Sequence, residues 1–276
     1  MLAHYVHNLS PFVVEFWAGF GLRWYGLAYV LSFLLGFLLY RWLAIRRYTE
    51  MPPNQVGDFI TWAAVFGVML GGRLGWAIFY GGRGLLDDPS QIVQVWKGGM
   101  ASHGGILGLV LFTLWYARRH HLSWTSIGDS LCVVAPLGIF LVRIANFING
   151  ELYGRPANVP WAVIFPPDPQ PRHPSQLYEA MLEGALLFLV LWLMRTKMRV
   201  PRGMITGTFF ILYAVLRIVG EFFREPDPAW SVGSITAGQF LSLFLIVIGA
   251  LFVRYACLHR EYEPIHAGTA TPDANR

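Results

Sequence analysis

Seven apolar segments of spanning length limit the fold of this 276-residue chain more than any other feature of its sequence. An α-helix needs about 20 apolar residues to cross the roughly 30 Å hydrocarbon layer of a bilayer. Lipid offers no hydrogen bonds to the backbone, and the sequence has no long alternating pattern typical of a barrel. We therefore predict an all-α polytopic integral membrane protein with seven transmembrane helices. The predicted spans are residues 17–40, 57–80, 97–117, 127–146, 175–194, 203–222 and 236–256.

The composition supports a membrane location and excludes other classes of protein. Hydrophobic residues make up 55% of the chain and charged residues 13%, whereas soluble domains carry about 25% charged residues. The net charge of +5 comes mainly from Lys and Arg in short loops, where they act as topology signals, so no nucleic-acid partner is predicted. Cys132 and Cys257 lie in or beside apolar segments without paired spacing, which indicates neither a disulfide nor a metal site.

Basic residues are distributed unequally between the two sides of the predicted bundle, with eleven on one side and five on the other. Cytoplasmic loops are enriched in Lys and Arg, so the more basic side is predicted to be cytoplasmic, with the N-terminus outside and the C-terminus inside. The cytoplasmic set is Arg41, Arg46, Arg47, Arg118, Arg119, Arg195, Lys197, Arg199, Arg202, Arg254 and Arg260. The outer set is Arg83, Lys97, Arg155, Arg172 and Arg224.

The spans leave little room for a separate soluble domain, so residues 1–260 are predicted to form a single membrane-embedded domain. Residues 147–174 are rich in Pro, Asn and Gly and are predicted to form a small extracytoplasmic head segment between helices 4 and 5. Residues 261–276 are polar and lack periodicity, which predicts a frayed cytoplasmic tail.

Charged or titratable side chains lie inside five of the predicted helices, although an ionised group at the bilayer centre costs at least about 2.5 kcal/mol. Helix rise places them at a similar depth near the outer face. Guanidinium groups pair bidentately with phosphate, so the sequence predicts a phospholipid headgroup site. The alternative is that each arginine extends separately to the headgroups. These residues are Arg23, Tyr25, Arg73, His103, Arg143 and Arg217.

The third predicted helix opens with KGGMASHGGILG, in which glycines surround His103. Glycine allows close backbone approach and therefore access to the histidine. A histidine is able to accept a proton at neutral pH, so His103 is a candidate general base. The alternative is that the small residues only permit tight helix packing and that His103 bonds to a neighbour.

The sixth predicted helix carries Tyr213, Arg217 and Glu221, whose spacing of four residues stacks them on one face. The carboxylate would orient the guanidinium, although a purely structural ion pair is the alternative. Glu183 is ambiguous and is placed outside the predicted site. Asp129 is interpreted as compensating the dipole at the start of its own helix.

The stretch RIANFINGELYG, residues 143–154, ends the fourth predicted span with charged and amide side chains. Together with RWYGL, GGRLG, SHGGILG and HPSQLYEA, it resembles the prolipoprotein diacylglyceryl transferase family of bacterial plasma membranes. The family pattern is G-R-x-[GA]-N-F-x-N-x-E-x-x-G, and the chain departs from it at Val142, which replaces the leading glycine. The departure suggests altered packing before Arg143, but no chemical group is lost.

The resemblance implies that phosphatidylglycerol donates its diacylglyceryl group to the lipobox cysteine thiol of a prolipoprotein signal peptide. The reaction forms a thioether, releases glycerol phosphate and is the first step of bacterial lipoprotein maturation. The resemblance also implies a multi-pass protein of the bacterial plasma (inner) membrane, with its active site toward the outer leaflet and both substrates arriving through membrane lipid. No cofactor and no metal are implied.

The resemblance also implies roles for individual residues. His103 would assist thiol deprotonation, while Arg143 and Arg217 would bind the phosphate and stabilise its developing charge. A lipid-facing arginine or the phosphate itself remains an open alternative for the proton acceptor. The predicted substrate-binding residues are Tyr25, Arg73, Asn146, Glu151, Gly154, Tyr213 and Glu221.

Two other classes of protein have some of the same features. An anion or lipid-headgroup transporter or channel would also use intramembrane arginines and glycine-rich helices, but it would be expected to show inverted repeats. An intramembrane serine protease using Ser102 or Ser175 would need a nucleophile motif that accompanies neither serine.

Overall fold

The computed structural model is a helical bundle with a small β-structured head. It describes residues 4–17, 19–81, 88–94, 99–225, 231–232 and 235–267. Within these ranges each predicted span overlaps one long helix, and residues 97 and 98 of the third span lie outside them. The helices are α1 (Trp24–Ile45), α2 (Val56–Tyr80), α3 (Ser102–His120), α4 (Trp124–Ile148), α5 (Ser175–Lys197), α6 (Met204–Glu221), α7 (Ala237–His259) and α8 (Pro264–Ala267).

Among the described residues, six helices are long and apolar enough to cross a membrane: α1, α2, α4, α5, α6 and α7. The protein is therefore a polytopic membrane protein. Its outward-facing surface is strongly apolar, as Ile78 and Phe79 illustrate with exposed fractions of 74% and 72%. An apolar surface of this extent suits lipid rather than water. The helix α3 is not among the six, and its last turn carries Arg118, Arg119 and His120.

Glycines bring α2 and α3 into backbone contact. A Cβ built at Gly71 would lie 2.6 Å from the Gly104 carbonyl oxygen, and one built at Gly108 would lie 2.2 Å from the Gly67 carbonyl oxygen. These distances exclude any larger residue without movement of a helix. The packing interpretation of the glycines around His103 is therefore confirmed for Gly104 and Gly108.

The beginning of the first predicted span is a β-hairpin rather than a helix. Strands β2 (Phe12–Trp17) and β3 (Phe20–Arg23) pair antiparallel, and Gly19 provides a backbone φ of +79° at the turn. The helical prediction is wrong for residues 17 and 19–23, because apolar content alone does not distinguish a strand from a helix in so short a run, and residue 18 lies outside the described residues. The first helix begins at Trp24.

The head joins the N-terminal residues to the segment between α4 and α5. Strand β1 (Tyr5–Val6) pairs parallel with β4 (Val163–Ile164), which pairs antiparallel with β5 (Pro171–Arg172). A separate pair, β6 (Ser231–Val232) and β7 (Ile235–Thr236), precedes α7. The head thus contains more of the chain than the predicted segment 147–174.

At the end of the bundle opposite the head, residues 261–267 are anchored rather than frayed. Glu263 is 1% exposed, accepts a hydrogen bond from Ser126 Oγ at 3.0 Å and lies 3.4 Å from Arg195 Nη1. The backbone N–H of Ile265 donates to the Arg47 carbonyl. The prediction of a frayed tail is wrong for these residues because a buried arginine needs a carboxylate partner. Residues 268–276 lie outside the described residues.

Asp129 acts on a neighbouring helix, so its interpretation as a charge at the start of its own helix is wrong. It lies in the second turn of α4, where its carboxylate accepts hydrogen bonds from the backbone N–H groups of Gly203 at 2.9 Å and Thr206 at 2.8 Å. The Thr206 hydroxyl donates to it as well. Asp129 therefore caps the N-terminus of α6 from the adjacent helix.

Candidate active site

Two arginines and two glutamates from three helices form the centre of the candidate site. Arg143 on α4 lies 3.1 Å from a carboxylate oxygen of Glu179 and 3.3 Å from one of Glu183, both on α5. Arg217 on α6 lies 2.7 Å and 3.4 Å from the same two residues. The four side chains thus link α4, α5 and α6 through ion pairs.

Two further ion pairs complete this group, which we call the arginine–glutamate cluster. Arg217 Nη2 lies 3.1 Å from Glu221 Oε2, one helical turn away, as the spacing of four residues predicts. Arg224 Nη1 lies 3.2 Å from Glu179 Oε1. The cluster consists of Arg143, Glu179, Glu183, Arg217, Glu221 and Arg224.

The local sequence explains why the helices approach closely enough to form the cluster. Glu179 and Glu183 lie one turn apart on α5. Glu179 immediately precedes the π-helical part of α5, Ala180–Leu186, and Glu183 lies within it. A Cβ built on the next residue, Gly184, would lie 2.6 Å from the Cβ of Phe140 on α4, so glycine is required for the contact. Close packing beside the carboxylates holds them against the arginines.

The cluster exposes its cations and buries its anions. The side chains of Glu179 and Glu183 are fully buried, whereas those of Arg143 and Arg217 are 16% and 14% exposed. The guanidinium groups therefore lie between the carboxylates and the accessible space. A bound anion would meet arginine before it meets glutamate.

Arg143 opens into a cavity of about 540 Å³ between α1 and α4. Tyr25, Asn146 and Tyr213 line the same end, while the rest of the lining is largely apolar and includes Gly36 and Val134 deeper in the bundle. Gly36 lies eleven residues after Tyr25 on α1, which corresponds to a depth of about 16 Å. The cavity thus has a polar, cationic end, which we call the cavity entrance, and a long apolar interior.

Glu151 fixes the amide at the cavity entrance. Asn146 is 3% exposed, and its side-chain amide donates to Glu151 Oε1 at 2.8 Å. The Glu151 carbonyl in turn accepts a hydrogen bond from the Gln176 side chain at 2.7 Å. These contacts make Glu151 a positioning residue for Asn146 and tie the head to the start of α5.

Gly154 lies at a backbone junction in the head. Its N–H donates to the His173 carbonyl at 2.9 Å, and it bridges Arg224 across the junction. A Cβ at this position would lie 2.3 Å from the Phe223 carbonyl oxygen and 2.8 Å from His173 Cβ. Gly154 therefore serves the shape of the head, and through Arg224 it connects the head to the arginine–glutamate cluster.

The Gly154→Ala variant is expected to lose about 1–3 kcal/mol of stability, because the added methyl forces backbone movement. Displacement of Arg224 should also reduce activity. Thermal unfolding in detergent and turnover by the same preparation measure the two effects. Gly57→Ala is a matched control, since its Cβ would meet only Phe37 at an ordinary 3.6 Å. A Gly154→Ala protein as stable and active as the control would contradict the proposed junction.

Hydrogen bonds and ion pairs organise the rest of the head. Arg172 lies 2.6 Å from Asp168 and 2.5 Å from Glu225, and it donates to the Gly154 carbonyl at 3.0 Å. The Gln170 backbone N–H and the Arg172 guanidinium hold the pKa of the Asp168 carboxyl below its usual value. Burial lowers the pKa of His173. These contacts stabilise the head segment, of which Leu152 lines the cavity.

Three residues of the predicted charged layer lie outside the cluster and do not line the cavity at Arg143. Arg73 donates to the carbonyls of Ile92 at 2.8 Å and Gly99 at 2.6 Å, so it holds the connection between α2 and α3. Arg23 stacks over the Phe12 ring at 5.1 Å. His103 is exposed and lines a second, mostly apolar cavity between α2 and α3, which Arg143 does not line. The layer therefore converges only in part.

Glu179, Glu183 and Arg224 were not among the predicted site residues. Two carboxylates spaced by four residues within a spanning helix are costly without partners, and this spacing was the available signal. The π-helical turn and the direction of α5 determine which cations the two carboxylates contact. Neither feature is predicted by the residue spacing. Within the described residues, no group of His, Cys, Asp and Glu has an arrangement that would hold a metal ion.

Comparison with known proteins places most of the chain in one family. A family model described as prolipoprotein diacylglyceryl transferase matches residues 11–255. A phosphatidylglycerol–prolipoprotein diacylglyceryl transferase of Nitrobacter hamburgensis is 43% identical over 92% of this chain and 91% of its own. Proteins of the same name are 48% identical in Nitratidesulfovibrio vulgaris, over 82% and 86%, and 47% identical in Rhodospirillum centenum, over 88% and 87%.

Proposed function

This chain belongs to the prolipoprotein diacylglyceryl transferase family, and we infer that it transfers the diacylglyceryl group of phosphatidylglycerol to the cysteine thiol of prolipoproteins. The relatives' names specify both substrates. The structural observation that carries the assignment is the pair of partly exposed arginines, Arg143 and Arg217, of which Arg143 lies at the entrance of a long apolar cavity. A phospholipid has the same division into an anionic head and apolar chains.

The reaction replaces one bond at the carbon of the diacylglyceryl group that carries the phosphate. The thiolate sulfur of the lipobox cysteine attacks this carbon, a C–S bond forms, and the C–O bond to phosphate breaks. Glycerol phosphate leaves with additional negative charge on its oxygens. Arg143 and Arg217 would stabilise that charge, which is greater in the transition state than in the bound lipid.

The cavity suggests how the lipid is held. Its phosphate would lie at Arg143 and Arg217, with Tyr25, Asn146 and Tyr213 near the headgroup and the acyl chains in the apolar interior. Glu221 would orient Arg217 and Glu151 would orient Asn146. Arg73, predicted to bind substrate, would instead act at a distance by holding the chain between α2 and α3.

The membrane arrangement follows from charge and packing. Backbone contact through glycines holds α3 against α2, which supports α3 as a seventh span beside the six apolar helices. The unequal distribution of basic residues supports an outer N-terminus and a cytoplasmic C-terminus. Residues 1–260 would then be one domain of the plasma (inner) membrane, with residues 147–174 and the arginine–glutamate cluster toward the outer leaflet.

His103 remains the proposed proton acceptor for the thiol. Its imidazole is exposed in a membrane-facing cavity, where a peptide arriving sideways through lipid would reach it. The His103→Gln variant is expected to lose most of its turnover and to bind phosphatidylglycerol normally, because only deprotonation is affected. The rate of thioether formation tests the expected loss of turnover, and a lipid-binding measurement tests the expected normal affinity. A variant that keeps most of its rate would remove the base role without affecting the transferase assignment.

Purified protein with phosphatidylglycerol and a lipobox peptide tests the function directly. A thioether-linked diacylglyceryl peptide, detected by mass spectrometry, is the expected product. A Cys→Ser peptide is the matched substrate control, since its hydroxyl is a far weaker nucleophile than a thiolate. Anion or lipid flux in vesicles without any thioether product would instead support a transporter or channel.

A further inference from the structure

The arginine–glutamate cluster carries no net charge. Its three guanidinium groups belong to Arg143, Arg217 and Arg224, and its three carboxylates belong to Glu179, Glu183 and Glu221. A phosphodiester brings one further negative charge into this partly dry environment. An excess charge in a region of low dielectric is unfavourable unless it is compensated.

The two central arginines, Arg143 and Arg217, are already engaged in ion pairs. Both terminal nitrogens of Arg143 and both of Arg217 lie within 3.4 Å of a carboxylate oxygen. A phosphate that binds these guanidinium groups bidentately must share or displace one of these carboxylates. Phosphate binding therefore requires one of the glutamates to share or give up a contact with arginine.

Of the two carboxylates that Arg143 and Arg217 share, Glu183 is held less tightly than Glu179. Glu179 has contacts of 2.7, 3.1 and 3.2 Å with three arginines, whereas Glu183 has two contacts of 3.3 and 3.4 Å. The charged groups facing Glu183 are Arg143 on α4, Arg217 on α6 and Glu179 on its own helix. Tyr213 on α6 is also titratable, and it interacts electrostatically with Glu183.

We propose that Glu183 takes up one proton when the phosphodiester of phosphatidylglycerol binds Arg143 and Arg217. This inference rests on the proposed function and names Glu183 as a positioning residue for its phosphate site. Protonation frees guanidinium N–H groups from Glu183 and keeps the occupied cluster neutral. During transfer the thiol passes its proton to His103 and from there to solution, and the departing glycerol phosphate takes up the proton from Glu183. The protons balance over one cycle, and Glu183 returns to its ionised state.

Proton-coupled binding makes a quantitative prediction for the affinity. Wild-type affinity for phosphatidylglycerol should fall by about tenfold per pH unit on the alkaline side, where Glu183 is ionised in the free protein. Glu183→Gln is already neutral, so it should bind without proton uptake and with little pH dependence. A purely structural Glu183 predicts the opposite pattern, with no proton uptake by the wild type and weaker binding by the variant at every pH.

Calorimetric titration with short-chain phosphatidylglycerol, in two buffers of different ionisation enthalpy, measures the proton uptake of the full chain without peptide. Uptake near one proton is expected for the wild type and for Glu225→Gln, a control in the head. Zero uptake by the wild type would overturn the proposal even if Glu183→Gln failed to fold. If lipid binds and thioether forms without proton uptake, the proposal for Glu183 fails and the transferase assignment stands. If neither lipid binding nor thioether formation is observed, the transferase assignment and the proposal for Glu183 fail together.

Infrared difference spectra identify which carboxylate gains the proton. A protonated carboxylic acid band should appear when the lipid binds and should shift in Glu183→Asp, because aspartic and glutamic acids absorb at different frequencies. Proton uptake should be retained in Glu183→Asp, which keeps the titratable group. A band that appears but does not shift would place the proton on Glu179 or Glu221 and overturn the assignment to Glu183.

Discussion

Arg143→Ala is expected to reduce thioether formation by roughly 1000-fold, the usual effect of removing a cation that stabilises transition-state charge on phosphate. Arg143 is the guanidinium at the entrance of the apolar cavity, and no neighbouring side chain extends an equivalent group from α4. Arg217→Ala should have an effect of the same order, since Arg217 shares both glutamates with Arg143. The rate of product formation at saturating peptide measures the loss.

The controls separate catalysis from folding. Arg143→Ala leaves two buried carboxylates with fewer partners, so membrane insertion and thermal unfolding must be measured on the same preparation. Arg143→Lys keeps the charge without the bidentate geometry and should recover only part of the rate. Arg254→Ala, an exposed arginine at the other end of the bundle, should have normal activity. Near-normal turnover in either site variant would refute the phosphate-binding role.

Arg195→Met is expected to destabilise the protein by about 3–5 kcal/mol without changing any residue near the cavity. Arg195 is 3% exposed and lies 3.6 Å from Asp129 and 3.4 Å from Glu263, both of which are buried. Methionine fills similar volume but removes the ion pair of Asp129 and leaves Glu263 with Arg202, at 3.5 Å. Thermal or denaturant unfolding in detergent, with inactive aggregates removed, measures the loss.

Arg199→Ala is the matched control for this prediction. Arg199 lies four residues further along the chain, is exposed, and stacks over the Tyr262 ring at 4.7 Å. Its loss should cost no more than about 1 kcal/mol. Adding Glu263→Gln to Arg195→Met should restore part of the stability, because it removes one of the two buried carboxylates that have lost Arg195. An Arg195→Met protein as stable as the Arg199→Ala control would show that the buried ion pairs contribute little.

The sequence predicted features that depend on local spacing or on the length of an apolar run. The long helices were placed to within a few residues at most boundaries, and Arg217 meets Glu221 as expected from one helical turn. The first helix was extended too far because the strands of the hairpin at residues 12–23 have the same apolar content as a helix. Composition does not determine the conformation of so short a segment.

Features that depend on how the helices face one another were not predictable. Glu183 was set aside although it contacts both central arginines, and Arg73 was counted as a ligand although it binds backbone carbonyls. Depth in the membrane is readable from residue counting, but the direction of a side chain around the helix axis depends on packing. Glu263 likewise belongs to a stretch with the composition of a polar tail, and its burial depends on the long-range ion pair with Arg195.

The parallel pairing of β1 with β4 has a consequence for the order in which the protein assembles. Strand β1 contains Tyr5 and Val6, whereas its partner strand lies beyond α4. During synthesis, β1 is unable to pair until α1 to α4 and then β4 have been translated. Pairing between segments so far apart in sequence is intrinsically slow. The head is therefore expected to close late in biogenesis, after the first half of the bundle has entered the membrane.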